Sequence, residues 1–364
     1  MHKRSPPRRS VAYRIPMLVL GVLSLGFGTA AGLFRLGWAV PLPHPDLVGW
    51  HGPLMVCGFF GAVIGLERAV ALARPSAYLA PVCAGLGGLS LLSGLSPLLA
   101  GGLFAVAGSV LLAGSAWIHY RQRHLYTLTL ALGAGSWLLG NLLWWLGWPI
   151  VSVVGWWMGF LVLTIAGERL ELSRFLPPSP LAARIFAAIV AALLCSATWA
   201  TVDPLSGHRA FGATLVLLAF WLLRQDVARR TVKQSGLTRF IAVCLLSGYA
   251  WLAVGGIVMS GLLPATPFAY DAALHAIFIG FVFSMVFGHA PVIFPAVARV
   301  QVPYHPVFYL PLLLLHVSLL ARVGGDLWQW AGLRGVGGAL NALALVFFIA
   351  VTLSAVVRGK RQRP

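Results

Sequence analysis

Three histidines fall inside long apolar segments, where a polar side chain is costly unless it has a partner. His51 opens the segment "WHGPLMVCGFFGAVIGLERAVAL", His275 lies in "YDAALHAIFIG", and His316 lies in "LPLLLLHVSLLARVGG". Imidazole is a preferred axial ligand of haem iron, a good ligand of copper and a carrier of protons. The alternative for any one of them is a hydrogen-bonded structural role. We predict that His51 and His275 together ligate a metal or haem, with His316 as a third candidate ligand.

Two residues close to these histidines have side chains that could support a metal site. Met55 follows His51 by about one helical turn and offers a soft sulfur ligand, although packing is the alternative role. Asp271 precedes His275 by one turn on the same helix face, where it could accept a hydrogen bond from the imidazole or hydrate the helix end.

Arginines at the same ends of three segments add positive charge near the histidines. Arg35 ends the apolar segment at about 15–39, Arg322 ends the one at about 306–323, and Arg334 precedes the one at about 335–357. Guanidinium groups bind carboxylates through two parallel hydrogen bonds, so these arginines are candidate partners of haem propionates. The alternative is that they anchor helix ends among lipid head groups.

The composition indicates an all-α polytopic membrane protein. Hydrophobic residues make up 59% of the chain and charged residues only 9%, whereas a soluble domain is about one quarter charged. Apolar windows long enough to span a bilayer recur along the whole length. We predict twelve transmembrane helices, at roughly 15–39, 47–72, 77–96, 98–119, 125–146, 150–173, 181–202, 209–225, 239–262, 268–292, 306–323 and 335–357.

Every fourth predicted helix carries a related sequence. "GFFGAVIGLERAVAL" begins at Gly58, "GFLVLTIAGERLELS" at Gly159 and "GFVFSMVFGHAPVIF" at Gly280. The similarity predicts a four-helix unit used three times, at about 15–119, 125–225 and 239–357, with chance similarity between apolar helices as the alternative. The equivalent polar positions predict a polar ring at one membrane face, made of Glu67, Arg68, Glu168, Arg169 and His289. A structural set of ion pairs is the favoured interpretation of this ring, and a proton or ion path is the alternative.

The net charge of +18 is distributed in a way that indicates membrane topology rather than binding to nucleic acid. With the N-terminus placed in the cytoplasm, only four of the 26 Lys and Arg residues fall on the outer side: Arg35, Arg209, Arg322 and Arg334. This is the positive-inside pattern, and an even number of helices returns the C-terminus to the cytoplasm. The chain is therefore predicted to be a single transmembrane domain, 15–357, between basic cytoplasmic tails at 1–14 and 358–364.

The segments "HGPLMVCGFFGAVIG" and "HAIFIGFVFSMVFG" resemble the second and tenth helices of the haem-copper oxidase subunit. The resemblance implies a twelve-helix fold in which His51 and His275 are the axial ligands of a low-spin haem and Arg322 is a propionate partner. The sixth and seventh predicted helices lack the histidines that complete the oxidase copper centre. The resemblance therefore implies a divergent relative that is not a complete oxygen or nitric oxide reductase.

The Trp-His start of the second helix and the spacing of His275, Ala276 and Gly280 are also similar to the NnrS family of twelve-helix membrane proteins. This resemblance implies haem b and copper as cofactors and a role in nitric oxide or redox stress. The expected function is a haem-binding membrane protein of the bacterial inner membrane, with an electron donor and a small gaseous ligand as candidate partners beside the lipid bilayer. No catalytic residue is assigned.

Two alternatives use the same fold without a haem. The first is a proton- or ion-coupled transporter working through Glu67, Glu168 and His289. The second is a membrane scaffold that has lost its cofactor. The sequence contains no Walker loop, HExxH or GxSxG motif, so phosphate, metalloprotease and serine-hydrolase chemistry have no support.

Overall fold

A computed structural model describes residues 12–173, 179–262 and 266–361, and every regular element in these ranges is helical. Each of the twelve predicted segments corresponds to one long helix. The helices are α1 (Arg14–Arg35), α2 (Pro45–Leu72), α3 (Pro75–Leu92), α4 (Pro97–Gln122), α5 (Leu125–Trp145), α6 (Ile150–Leu172), α7 (Pro180–Val202), α8 (Pro204–Gln225), α9 (Gly236–Met259), α10 (Ala269–Ala298), α11 (Pro306–Leu327) and α12 (Ala331–Arg361).

The fold is that of a polytopic helical membrane protein, as predicted. In the described ranges, eleven of the helices are long and apolar enough to cross a membrane, and only α5 is not among them. Helix α5 has 21 residues and carries the buried Asn141, whose amide donates to the Phe104 carbonyl at 3.0 Å. Of the two predicted tails, residues 1–11 and 362–364 lie outside the described residues, and α12 itself continues to Arg361.

Local sequence explains where several helices begin and end. Pro97 and Pro204 occupy the first positions of α4 and α8, where a missing N–H costs nothing. The residues before them cap the helices: Ser96 accepts from the amide of Leu98 at 3.3 Å, and Asp203 accepts from that of Ser206 at 3.2 Å. Hydrogen bonds from Ser206 also hold the pKa of Asp203 below its ordinary value.

The helices pack in chain order around a closed bundle. Each helix contacts the next, and α12 returns to contact α1. The three helices with related sequences are neighbours: α2 and α6 contact each other and each contacts α10. Helix α6 is buried over most of its length. Small residues permit the closest crossings. A Cβ at Gly207 on α8 would lie 2.1 Å from the backbone nitrogen of Ala200 on α7, so only glycine fits there.

Helices α2 and α10 share an irregularity that the sequence did not predict. Each changes from α- to π-helical geometry a short distance after its histidine, over Leu54–Phe60 in α2 and Ala276–Phe283 in α10. The two π segments touch through Phe59 and Phe283, whose rings stack with centroids 5.9 Å apart. Because π segments inside α-helices are rare and often occur at functional sites, this pair of segments indicates that the histidines just before them, His51 and His275, belong to such a site.

Candidate functional site

His51 and His275 lie on neighbouring helices, each held by a backbone carbonyl. Nδ1 of His51 is 2.6 Å from the carbonyl oxygen of Gly28 on α1, and Nδ1 of His275 is 2.8 Å from that of Asp271, one turn earlier on α10. A carbonyl only accepts, so both Nδ1 atoms carry the hydrogen and donate it. This fixes the tautomer in which each Nε2 has a free lone pair, the form that binds a metal.

The two imidazole rings face each other across the gap between α2 and α10. Their centroids are 6.5 Å apart and their planes are inclined by only 12°. Neither Nε2 has a hydrogen-bond partner among the described residues. Two imidazoles that bind one metal ion through bonds of about 2.0 Å have ring centres roughly 6 to 6.5 Å apart. The observed centroid spacing and the tautomers are those that two imidazoles holding one metal ion would have.

Glycines of α1 make room for the His51 side of the pair. A Cβ at Gly32 would lie 2.9 Å from Cε1 of His51, and a Cβ at Gly28 would lie 2.9 Å from the sulfur of Met55. Met55 thus packs against α1 at the residue whose carbonyl holds His51. The contact is the packing role that the sequence left open for this methionine.

The arginines predicted to hold haem propionates already have carboxylate partners. Arg322 pairs with Asp271 and lies 3.2 Å, Nε to Oδ2, from Asp326. Arg334 lies 2.7 Å from Asp326 and 3.3 Å from Asp271. This cluster of two arginines and two aspartates sits beside His275 and balances its own charge, so it leaves less guanidinium free for propionates than expected. Arg35 is exposed at the end of α1 and acts electrostatically on both histidines.

His316 is not brought into a ligand group with the other two histidines. Its Nδ1 accepts a hydrogen bond of 3.0 Å from the indole nitrogen of Trp251 on α9. Within residues 12–173, 179–262 and 266–361, no three His, Cys, Asp or Glu side chains are placed to hold a metal ion together. The geometry thus supports a site of two imidazoles, whereas the third candidate ligand has a structural partner instead.

The residues of the predicted polar ring lie towards the opposite end of α2, α6 and α10, and only some of them pair with one another. Arg68 and Glu168 make an ion pair that joins α2 to α6. Nδ1 of His289 donates to the carbonyl of Met285 at 2.7 Å. The imidazole of His289 is also close enough to Glu168 to interact with it electrostatically. Glu67 has no ion-pair or hydrogen-bond partner among the described residues, although Glu168 and Arg68 act on it electrostatically.

Arg169, the fifth residue of the ring, has partners that sequence analysis missed. It binds Asp226 through Nε at 2.8 Å and Nη2 at 3.2 Å, and the fully buried Tyr249 donates its hydroxyl to the same carboxylate. Asp226 is also buried, at the end of α8, and caps the next turn through the amide of Ala228. The only signal in the sequence was one acidic residue within the basic run "RQDVARR".

Comparison with known proteins gives a family. Residues 14–357, the helical bundle up to the last turn of α12, match the family described as Domain of unknown function (DUF8744). The chain belongs to this family. No curated protein matches it. The DUF8744 match covers both the facing histidines and the polar ring, so both sites lie within the domain that defines the family.

Proposed function

We propose that this DUF8744 protein is a haem-binding membrane protein in which His51 and His275 would hold the iron of one haem b. The observation that supports the proposal is the facing imidazole pair, with centroids 6.5 Å apart, planes nearly parallel and both Nδ1 atoms tied to backbone carbonyls. A haem held in this way supplies reversible one-electron reduction. The protein contributes two fixed ligands, and the exposed Arg35 is the guanidinium most available to a propionate.

If both histidines held the iron, the protein would leave it no open position for a gas, so the haem would supply one-electron transfer rather than nitric oxide binding. We therefore place the protein as an electron carrier in redox or nitric oxide stress rather than as a reductase. The NnrS-like resemblance also implies copper, so metal analysis of the purified protein should measure copper together with iron.

The proposal includes a topology. We infer twelve spans, with α5 crossing the membrane among more apolar neighbours, and three four-helix units centred on α2, α6 and α10. The concentration of Lys and Arg at one end supports a topology with both termini in the cytoplasm of a bacterium and the facing histidines in the outer half of its inner membrane. Reporter fusions in the 226–235 loop and in the 36–44 loop test this: the first should report a cytoplasmic location and the second an external one.

The test of haem binding is spectroscopic. We expect detergent-purified protein to show sharp alpha bands in a dithionite-reduced minus oxidised spectrum and about one haem per chain in a pyridine haemochrome assay. His51→Ala and His275→Ala should each abolish the spectrum. His316→Ala is the matched control, because its imidazole bonds to Trp251, and it should retain haem. Wild-type protein without haem, despite ample haem supply, would overturn the proposal.

A proton- or ion-coupled transporter is the second candidate. The observation that favours it is Glu67, a half-buried carboxylate in a membrane helix with no ion-pair partner in the described residues and with Glu168 and His289 in the same polar ring. In proteoliposomes, Glu67→Gln should then abolish proton flux while His51→Ala leaves it intact. Flux that depends on His51 and is indifferent to Glu67 would refute this candidate.

A further inference from the structure

Asp271 connects a candidate metal ligand to the buried arginines. Its backbone carbonyl accepts the Nδ1 hydrogen of His275, and its carboxylate oxygen Oδ1 lies 3.5 Å from the same nitrogen. The other oxygen, Oδ2, is occupied by Arg322 and Arg334. The two arginines therefore hold the carboxylate so that Oδ1 faces the imidazole of His275.

Asp326 provides a natural comparison. It binds the same two arginines, through Nε of Arg322 at 3.2 Å and Nε of Arg334 at 2.7 Å, and is more deeply buried than Asp271. No hydrogen bond or ion pair joins Asp326 to either histidine of the pair among the described residues. The two aspartates thus carry the same charge and pair with the same two arginines, but only Asp271 lies beside the imidazole of His275.

A carboxylate beside the Nδ1–H of a ligating imidazole changes the properties of the bound metal. Its negative charge increases the electron density on the ring, makes Nε2 a stronger donor and stabilises the oxidised metal over the reduced one. The effect depends on distance, because it acts through the imidazole that the carboxylate faces. Asp271 meets this condition and Asp326 does not.

We propose that Asp271 is a positioning residue that fixes the ring of His275 and lowers the reduction potential of an iron bound between His275 and His51. The inference rests on the proposed function and adds to it. It also reassigns Arg322 and Arg334: they orient a carboxylate behind the ligand, whereas the resemblance to oxidases gave Arg322 to a propionate.

The experiment compares midpoint potentials of three purified variants by spectroelectrochemical titration. In Asp271→Asn the backbone carbonyl remains but the negative charge is lost, so the potential should rise above wild type. Asp271→Glu keeps the charge and the arginine partners, so it should return towards the wild-type value. Asp326→Asn removes the same charge from the same cluster without touching the imidazole, and its shift should be clearly smaller.

Haem content, measured in the same samples, separates the possible failures. An Asp271→Asn variant that holds one haem per chain at the wild-type potential would overturn the role of Asp271 and leave the haem proposal standing. Equal shifts in Asp271→Asn and Asp326→Asn would also overturn it, because they would indicate a general charge effect. Loss of haem from Asp271→Asn alone would show a structural role in place of tuning. Absence of haem from wild type would overturn both proposals.

Discussion

Replacement of Gly32 by alanine tests the position of His51 without altering a ligand. The new Cβ would lie 2.9 Å from Cε1 and 3.1 Å from Nδ1 of His51, whereas ordinary contacts begin at 3.4 Å. The ring must therefore move by the difference between 3.4 and 2.9 Å, about 0.5 Å, away from α1 and from the Gly28 carbonyl that holds it. Overpacking of this kind reduces stability by about 1–3 kcal/mol. If only the haem-bound state is destabilised by this amount, haem affinity decreases roughly 5- to 150-fold.

The assay is the haem-to-protein ratio after purification, followed by a competition with apomyoglobin that compares rates of haem loss. Gly26→Ala is the matched control on the same helix, since no atom lies within 4 Å of its added Cβ. An alanine at an exposed helical position should be neutral or stabilising by about 0.5–1 kcal/mol. If Gly32→Ala folds and keeps its haem as tightly as Gly26→Ala, His51 does not ligate the metal in the observed position.

Three further outcomes follow from the same geometry. Asp226→Asn should destabilise the protein by about 3–5 kcal/mol, seen as a lower melting temperature in detergent, because it leaves the buried Arg169 without its counter-ion; an unchanged melting temperature would contradict this. Gly280→Ala should reduce the free energy of unfolding by about 1–3 kcal/mol, because its Cβ would lie 2.4 Å from Cγ of Trp251. A melting temperature equal to that of wild type would show that the indole moves aside without loss of stability. The 12° angle between the imidazole planes predicts a rhombic low-spin electron paramagnetic resonance spectrum, whereas a strongly anisotropic signal with one large g value would indicate perpendicular rings.

Sequence analysis located most of the polar residues because depth in a membrane helix follows from sequence position. The polar ring was expected at one membrane face, and Glu67 of that ring follows His51 by 16 residues along one helix. This separation along the helix needs no tertiary information, because the chain advances about 1.5 Å per residue. His316 shows the limit of this reasoning, because the sequence does not indicate the direction in which its side chain points.

Partners were harder to predict than positions. Arg322 and Arg334 were assigned to propionates because their shared partner Asp271 lies 51 and 63 residues before them in the sequence. Their other partner, Asp326, follows Arg322 by one helical turn and precedes Arg334 across a short loop. Asp226 was missed because a single acid in a basic loop looks like part of the topological charge pattern. Only packing shows that it is buried against Arg169 and Tyr249.

The sequence by itself determined that the chain is a helical membrane protein, where its helices lie and which end of each carries polar residues, since these follow from the apolar windows and from the rise per residue. The tertiary structure decided which polar residues meet. The facing of His51 and His275 depends on how α2 and α10 rotate about their own axes, and the π segments after both histidines change that rotation. The pairing of Asp271 and Asp326 with two arginines depends on the closure of α10, α11 and α12 around them. Hydropathy does not predict the rotation of a helix or the packing of its neighbours, because it measures how apolar a helix is and not the direction in which each side chain points.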